Sequence, residues 1–485
     1  MKWLKRILFS IVALVTLVAL AIAFENWRGK RAWLKFKTEW ESKGESFDIA
    51  SAIPPKVPDH ENFAMTPFFA PLFDYEYAPS VVHKNSNAVL QTRAVSLGSK
   101  KDLPELGARS RAKRTDLGEW QDYFAGNTNY PLRDRTQSAA ADVLQALSKY
   151  DDVISELRTA SARPQSHFPV HYHESFSALL PHLSVLRGVS DIVRLRVVAQ
   201  LDHRRTNEAL ADVKLSIYLA ESLKSEPLLI SQLVRIALIE AALNTVWESL
   251  DRWSDAQLLE LEQTLSRIDV LEDYPKSLRG ERAFSNDVFA RMRRGEDFPG
   301  ELGSAARYGP SGLLYQNQLT INSLHQKYVF DPVDVGNRKV DARKALALDD
   351  LPELKGQHIY RVFAKRLFPA LSKAVLRFTS AQSDLDFAVI ACALERHRRA
   401  HGQYPASLDE LRPKFIETIP HDIVSGGPLH YRGEAADGFT LYAMGFDEKD
   451  NNGTPPPTKD PRAHAVGYDW VWQSAPKRTD KSSNR

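Results

Sequence analysis

An apolar run near the amino terminus constrains this chain more than any other feature. Ile7 to Phe24 is a stretch of about 18 residues in which only Ser10 and Thr16 are polar, and a helix of this length can cross the hydrocarbon core of a bilayer. Ala21-Ile22-Ala23 also fits the small-x-small pattern of a signal-peptidase site. A cleaved signal and an uncleaved anchor are both open, and the length of the run favours an anchor over residues 1–26.

Basic residues flank the run on both sides. Those before it are Lys2, Lys5 and Arg6, and those after it are Arg28, Lys30, Arg31, Lys35 and Lys37. By the positive-inside rule the heavier second flank would keep the body in the cytoplasm. The aromatic residues in this flank are Trp27, Trp33, Phe36 and Trp40. They indicate either a juxtamembrane helix with an aromatic edge at the lipid headgroups or a plain continuation of the membrane helix.

Length and composition limit the class of protein. A chain of 485 residues exceeds what one hydrophobic core usually supports, so two or three folding units are expected. A net charge of +3 is too small for a nucleic-acid-binding surface, which excludes nucleic acid as a partner. The one cysteine, Cys392, cannot form an intrachain disulfide, and its apolar neighbours predict buried packing.

Residues 27–130 contain the juxtamembrane helix and a connector. Prolines recur among aromatic residues from Ile53 to Pro79, which predicts an extended segment that lies against the helical body or fills a partner's groove. The basic stretch from Arg109 to Arg114 is predicted to be a solvated loop.

Residues 131–375 show helical periodicity. Val143, Leu147, Tyr150, Ile154 and Leu157 are spaced for one face of a helix. Pro181 is placed to open the next helix, Pro227 precedes another, and Ser254-Asp255-Ala256-Gln257 has the capping-box pattern. Successive amphipathic helices with short turns predict an irregular antiparallel array, either a bundle or an α-solenoid, whose surface can bind a protein partner.

The last third of the chain predicts a small α+β module. A long helix is expected from about Arg361 to Ala400, ended by Gly402 and Pro405. The segments Leu429–Tyr431 and Phe439–Met444 are rich in strand formers, and Asp437-Gly438 lies between them as a hairpin turn. The fold class is therefore mainly α, with an amino-terminal membrane helix, a helical array and a carboxyl-terminal module with an antiparallel sheet.

A series of short motifs lies in this module. They are Gly402-Gln403-Tyr404-Pro405, Ser407-Leu408-Asp409-Glu410-Leu411, Ile419-Pro420-His421-Asp422, Gly426-Gly427-Pro428, Leu441-Tyr442, Gly445-Phe446-Asp447 and Asp469-Trp470-Val471-Trp472. In this order they resemble the carboxyl-terminal part of the major pseudopilins of type II secretion, over residues 376–475, with 476–485 as a disordered tail. The resemblance implies a helix packed on a small sheet, a location outside the cytoplasm and a calcium-binding loop.

The loop Asp447-Glu448-Lys449-Asp450-Asn451-Asn452-Gly453 is rich in the oxygen ligands that calcium prefers. The resemblance implies a calcium site formed by Asp447, Asp450, Asp460 and Asp469. The twelfth position from Asp447 is Thr458 and not Glu, so the loop is not an EF-hand. The alternative to calcium is a solvated Asp/Asn/Gly turn.

The amino terminus departs from the pseudopilin pattern. Pseudopilins have a Gly before the apolar helix and a Glu at its fifth position, whereas Glu25 stands at the far end of this run and no Gly precedes the run. The chain is therefore not expected to polymerise as a pilin, and the module is expected to be borrowed onto a different anchor.

His171 and His173 form a His-x-His pair, which on a strand would direct both imidazoles to one face as a metal site requires. Glu174 could then be a third ligand or a base, and ordinary loop histidines are the alternative.

The sequence as a whole leads to three hypotheses about function. The leading hypothesis is a non-enzymatic binding or structural protein, anchored once in a bacterial inner membrane with its body in the periplasm. The others are a component of a type II secretion or pilus-like apparatus and a metal-dependent hydrolase.

Overall fold

The computed structural model describes residues 2–77, 81–83, 95–99, 101–132, 134–135, 137–296, 309–347, 351, 354–356, 358–434, 438–455 and 467–476. As predicted, the protein is mainly α-helical, with an amino-terminal apolar helix and a small antiparallel sheet near the carboxyl terminus. The helices described are α1 (Lys2–Glu41), α2 (Ile49–Ala52), α3 (Leu117–Ala125), α4 (Ala139–Leu147), α5 (Asp151–Ala160), α6 (Pro181–Asp202), α7 (Thr206–Glu221), α8 (Leu229–Ser249), α9 (Asp255–Leu265), α10 (Val270–Arg294), α11 (Ser311–Leu324), α12 (Ala342–Leu346) and α13 (Val362–His401).

The α1 helix is continuous over its 40 residues. The juxtamembrane segment is thus a direct continuation of the apolar helix, and the position of its aromatic edge at the lipid headgroups stays a prediction. The aromatic residues of this segment do not share one environment, because Trp33 is buried and packs edge-on against Phe47 with ring centroids 5.6 Å apart, whereas Trp27 is exposed.

The local signals that were identified for helix starts are confirmed. Pro181 opens α6, and Ser254 forms the full capping box of α9 with Gln257. One helix was predicted wrongly. The stripe from Val143 to Leu157 is divided between α4 and α5 by a 3₁₀ turn at Ser148–Tyr150.

The segment after α1 also differs from its prediction. It is not extended but folds into 3₁₀ turns at Asp59–Glu61, Phe63–Met65 and Ala70–Phe73. Its position against the helical body is confirmed, because Phe63, Phe69 and Leu72 are completely buried.

The strands in the described part of the chain form three small antiparallel sheets. Two are two-stranded: β1 (Tyr75–Tyr77) pairs with β2 (Val81–His83), and β3 (Val333–Asp334) pairs with β4 (Lys339–Val340). The third has the order β5 (His430–Gly433), β6 (Phe439–Ala443), β7 (Trp470–Gln473). In the central strand β6, Leu441 pairs with Tyr431 on one side and Trp472 on the other. The predicted hairpin strands are thus observed, and the predicted turn residue Asp437 lies outside the described residues.

The α13 helix connects the parts of the fold. It packs against α8, α9, α10 and α11 and also contacts β6 and β7. Its residues Phe387 to Leu394 are buried, and Cys392 is among them as predicted. Burial raises the pKa of this thiol above its usual value. One contiguous apolar core therefore extends from Phe63 in the connector to Trp472 in the sheet.

Candidate functional site

The first half of α1 is an apolar surface that nothing in the described structure covers. The helix is long and apolar enough to cross a membrane, and the apolar window within it has no buried residues. Leu8, Leu14 and Leu17 each expose more than 60% of their surface. The run from Ile7 to Phe24 rises about 27 Å at 1.5 Å per residue, close to the roughly 30 Å of a hydrocarbon core. A second helix, Leu229–Arg252, passes the same test of length and composition, but 72% of its window is buried inside the protein, as in a core helix.

The second half of α1 is fixed to the body by a close helix crossing. The amide N–H of Gly312 at the start of α11 donates to Asn26 Oδ1 at 2.7 Å. A Cβ at Gly29 would lie 2.6 Å from the carbonyl oxygen of Gly312, and a Cβ at Gly312 would lie 2.3 Å from that of Glu25. Only glycine permits such an approach of two backbones. The helix that carries the apolar run therefore continues without a break into the packed body.

The far end of α1 is held by a buried ion pair. Glu45, just after the helix, accepts hydrogen bonds from Arg279 at 2.9 Å and from Arg282 at 2.5 Å, and the Arg282 side chain is fully buried. Burial by itself would raise the pKa of Glu45, but the hydrogen bonds and charges of the two arginines outweigh it and lower this pKa below its usual value. The guanidinium of Arg282 also lies 4.4 Å over the ring of Phe47.

The carboxyl-terminal loop is organised around Asp469. This side chain accepts from the amide of Asn451 at 3.0 Å and from that of Gly453 at 2.7 Å. Asn452 and Gly453 both have positive φ angles, 57° and 69°, which turn the chain toward the carboxylate. The pKa of Asp469 is raised, first by burial, and also by the charges of Asp450 and Asp447; the amide hydrogen bonds oppose this shift.

The other predicted ligands lie on the same loop or outside the described residues. Asp447 accepts from the amide of Lys449 at 3.2 Å, and Asp450 accepts from that of Asn452 at 2.8 Å. Asp460 is one of the residues that the structure does not describe. Within the described ranges, no three His, Cys, Asp or Glu side chains group as a metal site. Calcium binding, which can also use amide and backbone oxygens, stays a prediction.

His171 and His173 do not lie on a strand. Tyr172–Ser177 is a 3₁₀ turn, and the two imidazole rings are 5.4 Å apart between centroids. The His171 ring stacks on Tyr75 at 5.1 Å, and the exposed His173 lies 3.3 Å from Glu174. The strand geometry on which the predicted site depended is absent at this position.

An interface that the sequence did not reveal joins the sheet to the helical array. The guanidinium of Arg109 donates to the carbonyl of Val471 in β7 and to the carboxylate of Asp384 in α13, and it lies 4.9 Å from the ring of Trp472. The indole of Trp247 in α8 donates to the carbonyl of Gln473 at 2.7 Å. Burial raises the pKa of Asp384, and the charge of Arg109 opposes that shift.

The prediction that the basic stretch from Arg109 to Arg114 is a solvated loop is therefore only partly confirmed. Arg111 and Lys113 are about half exposed, as expected of a solvated loop. Arg109 and Arg114, by contrast, are mostly covered, and Arg114 donates to the carbonyl of Pro476 at 2.9 Å. No local signal in the sequence separates these two arginines from their neighbours.

No protein-family model, curated protein or solved structure matches this chain. The fold defines a class: a mainly α-helical protein with an amino-terminal helix able to span a membrane and a three-stranded antiparallel sheet near the carboxyl terminus.

Proposed function

We propose that this chain is a single-pass protein of a bacterial inner membrane, with its body in the periplasm and a non-enzymatic binding or structural role. The observation that supports anchoring is the uncovered apolar half of α1, which continues without interruption into the half that is fixed against α11. An anchor that is one rigid piece with the body would hold the body at a defined height and orientation on the bilayer.

The periplasmic location depends on the resemblance of the last hundred residues to pseudopilins, which work outside the cytoplasm. The sheet β5–β7 and the long helix that precedes it are compatible with that module. The basic residues after the span oppose this orientation by the positive-inside rule. Two of them are paired in the folded body: Arg28 lies 2.8 Å from Glu25, and Lys37 lies 3.2 Å from Asp48.

Two buried carboxylates in α13 are paired with arginines, which favours a structural role for these two residues over catalysis. Asp384 and Asp386 in α13 have raised pKa values because they are buried, but each is paired with an arginine, Arg109 and Arg338 respectively. These pairs join helices to loops within the packed fold. Raised carboxyl pKa values that belong to such structural pairs do not indicate an acid catalyst.

The helical array offers an open groove, lined by both charged and apolar side chains, for a protein partner. It lies between α5, α7 and α9, has a volume of about 790 Å³, and is lined by residues of both charge signs, including Arg158, Lys214, Glu221, Glu260 and Arg267. Mixed charges in an open groove suit a polar protein surface better than a small apolar ligand.

The experiment for the main proposal fractionates cells that express the full chain with a reporter at its last residue. We expect the protein to stay in the membrane after alkaline carbonate extraction, and a phosphatase reporter to be active because it lies in the periplasm. The control carries Leu14→Arg and Leu17→Arg, which interrupt the apolar run and should release the protein. Release of the unmodified chain from the membrane by alkaline carbonate would contradict anchoring. A reporter that is active only in the cytosol would contradict the periplasmic location.

A second candidate function is a component of a type II secretion or pilus-like apparatus. The observation that favours it is the sheet at the end of a 40-residue helix, which would present a pseudopilin-like surface to true pseudopilins. Crosslinking in cells followed by purification tests it. Recovery of pseudopilins with the chain would support this function, and their absence from the crosslinked material would count against it.

A further inference from the structure

Few large apolar side chains outside α1 are exposed in the described part of the chain. They are Leu179, Ile230, Ile359 and Val362, with exposed fractions of 36%, 51%, 58% and 40%. Ile359 and Val362 are close together, at the start of α13. Exposed apolar side chains that cluster commonly mark a surface that something else covers.

A contact to α1 fixes the height of this pair relative to the membrane. Between Ile359 and Val362 stands Tyr360, whose hydroxyl accepts from Arg28 Nη2 at 2.8 Å and whose ring lies 5.4 Å from the Arg28 guanidinium. Arg28 comes four residues after Phe24, where the apolar run ends, and is therefore about 6 Å further along the helix axis. The headgroup layer on each side of a bilayer is about 5–7 Å thick. Tyr360 thus lies at the level of the lipid headgroups when α1 spans the membrane.

The backbone of this segment is held in place from the other side. Asn317 in α11 is buried, and its side chain donates to the carbonyl of Ile359 at 2.8 Å and accepts from the amide of Phe363 at 3.3 Å. Phe363 in turn packs against Phe289 with ring centroids 5.1 Å apart. The two apolar side chains therefore sit on a supported segment beside the membrane exit of α1.

The exposed surface of α1 at and beyond this level is chemically suited to lipid headgroups. Trp27 is 56% exposed and Leu34 is 47% exposed. They line a shallow groove of about 710 Å³ together with Lys30, Arg31, Lys35, Thr38 and Glu39. Trp27, which comes about 4.5 Å after Phe24 along the helix axis, is the lining residue that lies within the headgroup layer. Aromatic and aliphatic side chains mixed with Lys and Arg are typical of surfaces that lie in the interface of an anionic bilayer.

We propose that the segment from His358 to Val362 is a second membrane contact, in which Ile359 and Val362 enter the headgroup region of the same bilayer that α1 spans. This inference rests on the proposed anchoring by α1. The covering partner is the lipid itself, because the segment adjoins the helix exit and shares its level with a basic, aromatic surface. The body would then touch the membrane at two points and could not tilt freely about α1.

The test places a fluorescent probe on the full chain in vesicles. Ile359→Cys and, separately, Val362→Cys are labelled with an environment-sensitive fluorophore. The native Cys392 is fully buried, so the introduced thiol is the accessible one. The protein is reconstituted in equal parts of phosphatidylcholine and phosphatidylglycerol, with spin-labelled lipid as the quencher.

Ile230→Cys is the matched control because Ile230 is about equally exposed but lies far from the membrane exit. The amide of its neighbour Leu229 donates to Glu281 at 3.3 Å. Arg282, which follows Glu281 in the chain, binds Glu45 just beyond the end of α1. Arg28 and Glu41 are about 20 Å apart along the helix axis. Leu14→Cys, in the middle of the apolar run, reports whether α1 spans the bilayer.

We expect lipid quenching at positions 359 and 362 to exceed that at position 230 by at least about threefold, as for side chains buried in the interface. Equal quenching at 359, 362 and 230 with strong quenching at 14 would overturn the second contact and leave the anchor intact. Shielding of 359 from a water-soluble quencher without lipid quenching would also overturn it, in favour of a protein cover. Absence of quenching at position 14 would instead overturn the proposed anchoring.

Discussion

At the scale of single residues, two glycines determine how α1 meets α11. We predict that Gly312→Ala lowers the free energy of unfolding by about 1–3 kcal/mol, because the added Cβ would lie 2.3 Å from the carbonyl oxygen of Glu25 and the helices would have to separate. Denaturant unfolding in detergent measures this change.

Gly126→Ala is the control for this substitution. Gly126 has an ordinary φ of −83°, and a Cβ there would meet no atom nearer than 3.7 Å. It should be neutral or slightly stabilising, by up to about 1 kcal/mol. Equal stabilities of the Gly312→Ala protein and the unmodified chain would show that the close crossing does not exist.

The ion pair at the end of α1 leads to a pH-dependent prediction. Glu45→Gln should lower the free energy of unfolding at pH 7 by about 3 kcal/mol, because it leaves the buried charge of Arg282 without its partner. The pKa of Glu45 is lowered in the folded protein, so the stability it contributes is present above its unfolded value of about 4.3 and is lost as the pH falls through the folded value. The difference between the two proteins should therefore shrink below about pH 4.

Glu39→Gln is the matched control, because Glu39 pairs with Lys43 at 2.9 Å on the surface and both side chains are about half exposed. We expect a change within about 0.5 kcal/mol for this exposed pair. A loss for Glu45→Gln that is the same at pH 7 and pH 3 would mean that the lost stability comes from packing and not from charge.

At the scale of elements, the sequence predicted the helix starts and ends that depend on neighbouring residues. The capping box at Ser254, the opening proline of α6 and the left-handed Gly402 that ends α13 depend on residues within one turn of each other. The break between α4 and α5 and the hairpins β1–β2 and β3–β4 were missed. Strands of two or three residues are too short to show an alternating pattern in the sequence. In the carboxyl-terminal loop, the sequence indicated Asp447, Asp450 and Asp469 as candidate calcium ligands. It did not indicate the amide hydrogen bonds that hold the Asp469 side chain in place.

The carboxyl-terminal loop is the element on which the calcium prediction is tested. Burial and two neighbouring carboxylates raise the pKa of Asp469, and a bound cation would relieve that repulsion. We expect calcium at a hundredfold excess over its dissociation constant to add about 2.7 kcal/mol of stability. A melting temperature that is higher with calcium than with chelator would reveal it.

Two variants show whether such a shift belongs to the loop. Asp447→Ala should abolish the calcium-dependent part of the melting temperature, whatever its effect without calcium. Asp409→Ala, which removes an exposed carboxylate paired with Arg412 outside the loop, should preserve it. If chelator does not change the melting temperature of the unmodified chain, the calcium prediction is wrong.

At the scale of the whole molecule, the sequence indicated the apolar helix but not the contacts that attach it to the body. A run of 18 residues with only two polar members is long enough to cross a bilayer. The crossing of Gly29 with Gly312 joins positions almost three hundred residues apart, and no single-sequence pattern pairs them. The contact of Arg109 with β7 joins residues that are still further apart in the chain. These long-range contacts join the amino-terminal helix, the helical array and the sheet into one packed body.

The last prediction concerns whether the sheet and the array unfold together. The core runs without interruption from the array into the sheet, so amides of β6 and α8 in the unmodified chain should exchange hydrogen with the same global free energy. Arg109→Ala removes the pair with Asp384 and the contact to Val471 and should lower that global free energy by about 3 kcal/mol, so that exchange becomes about a hundredfold faster in both regions. Arg111→Ala, on the same loop but about half exposed, should leave both rates unchanged.

Hydrogen exchange with mass spectrometry resolves the two regions. Faster exchange of the sheet already in the unmodified chain would instead support a separate module over residues 376–475.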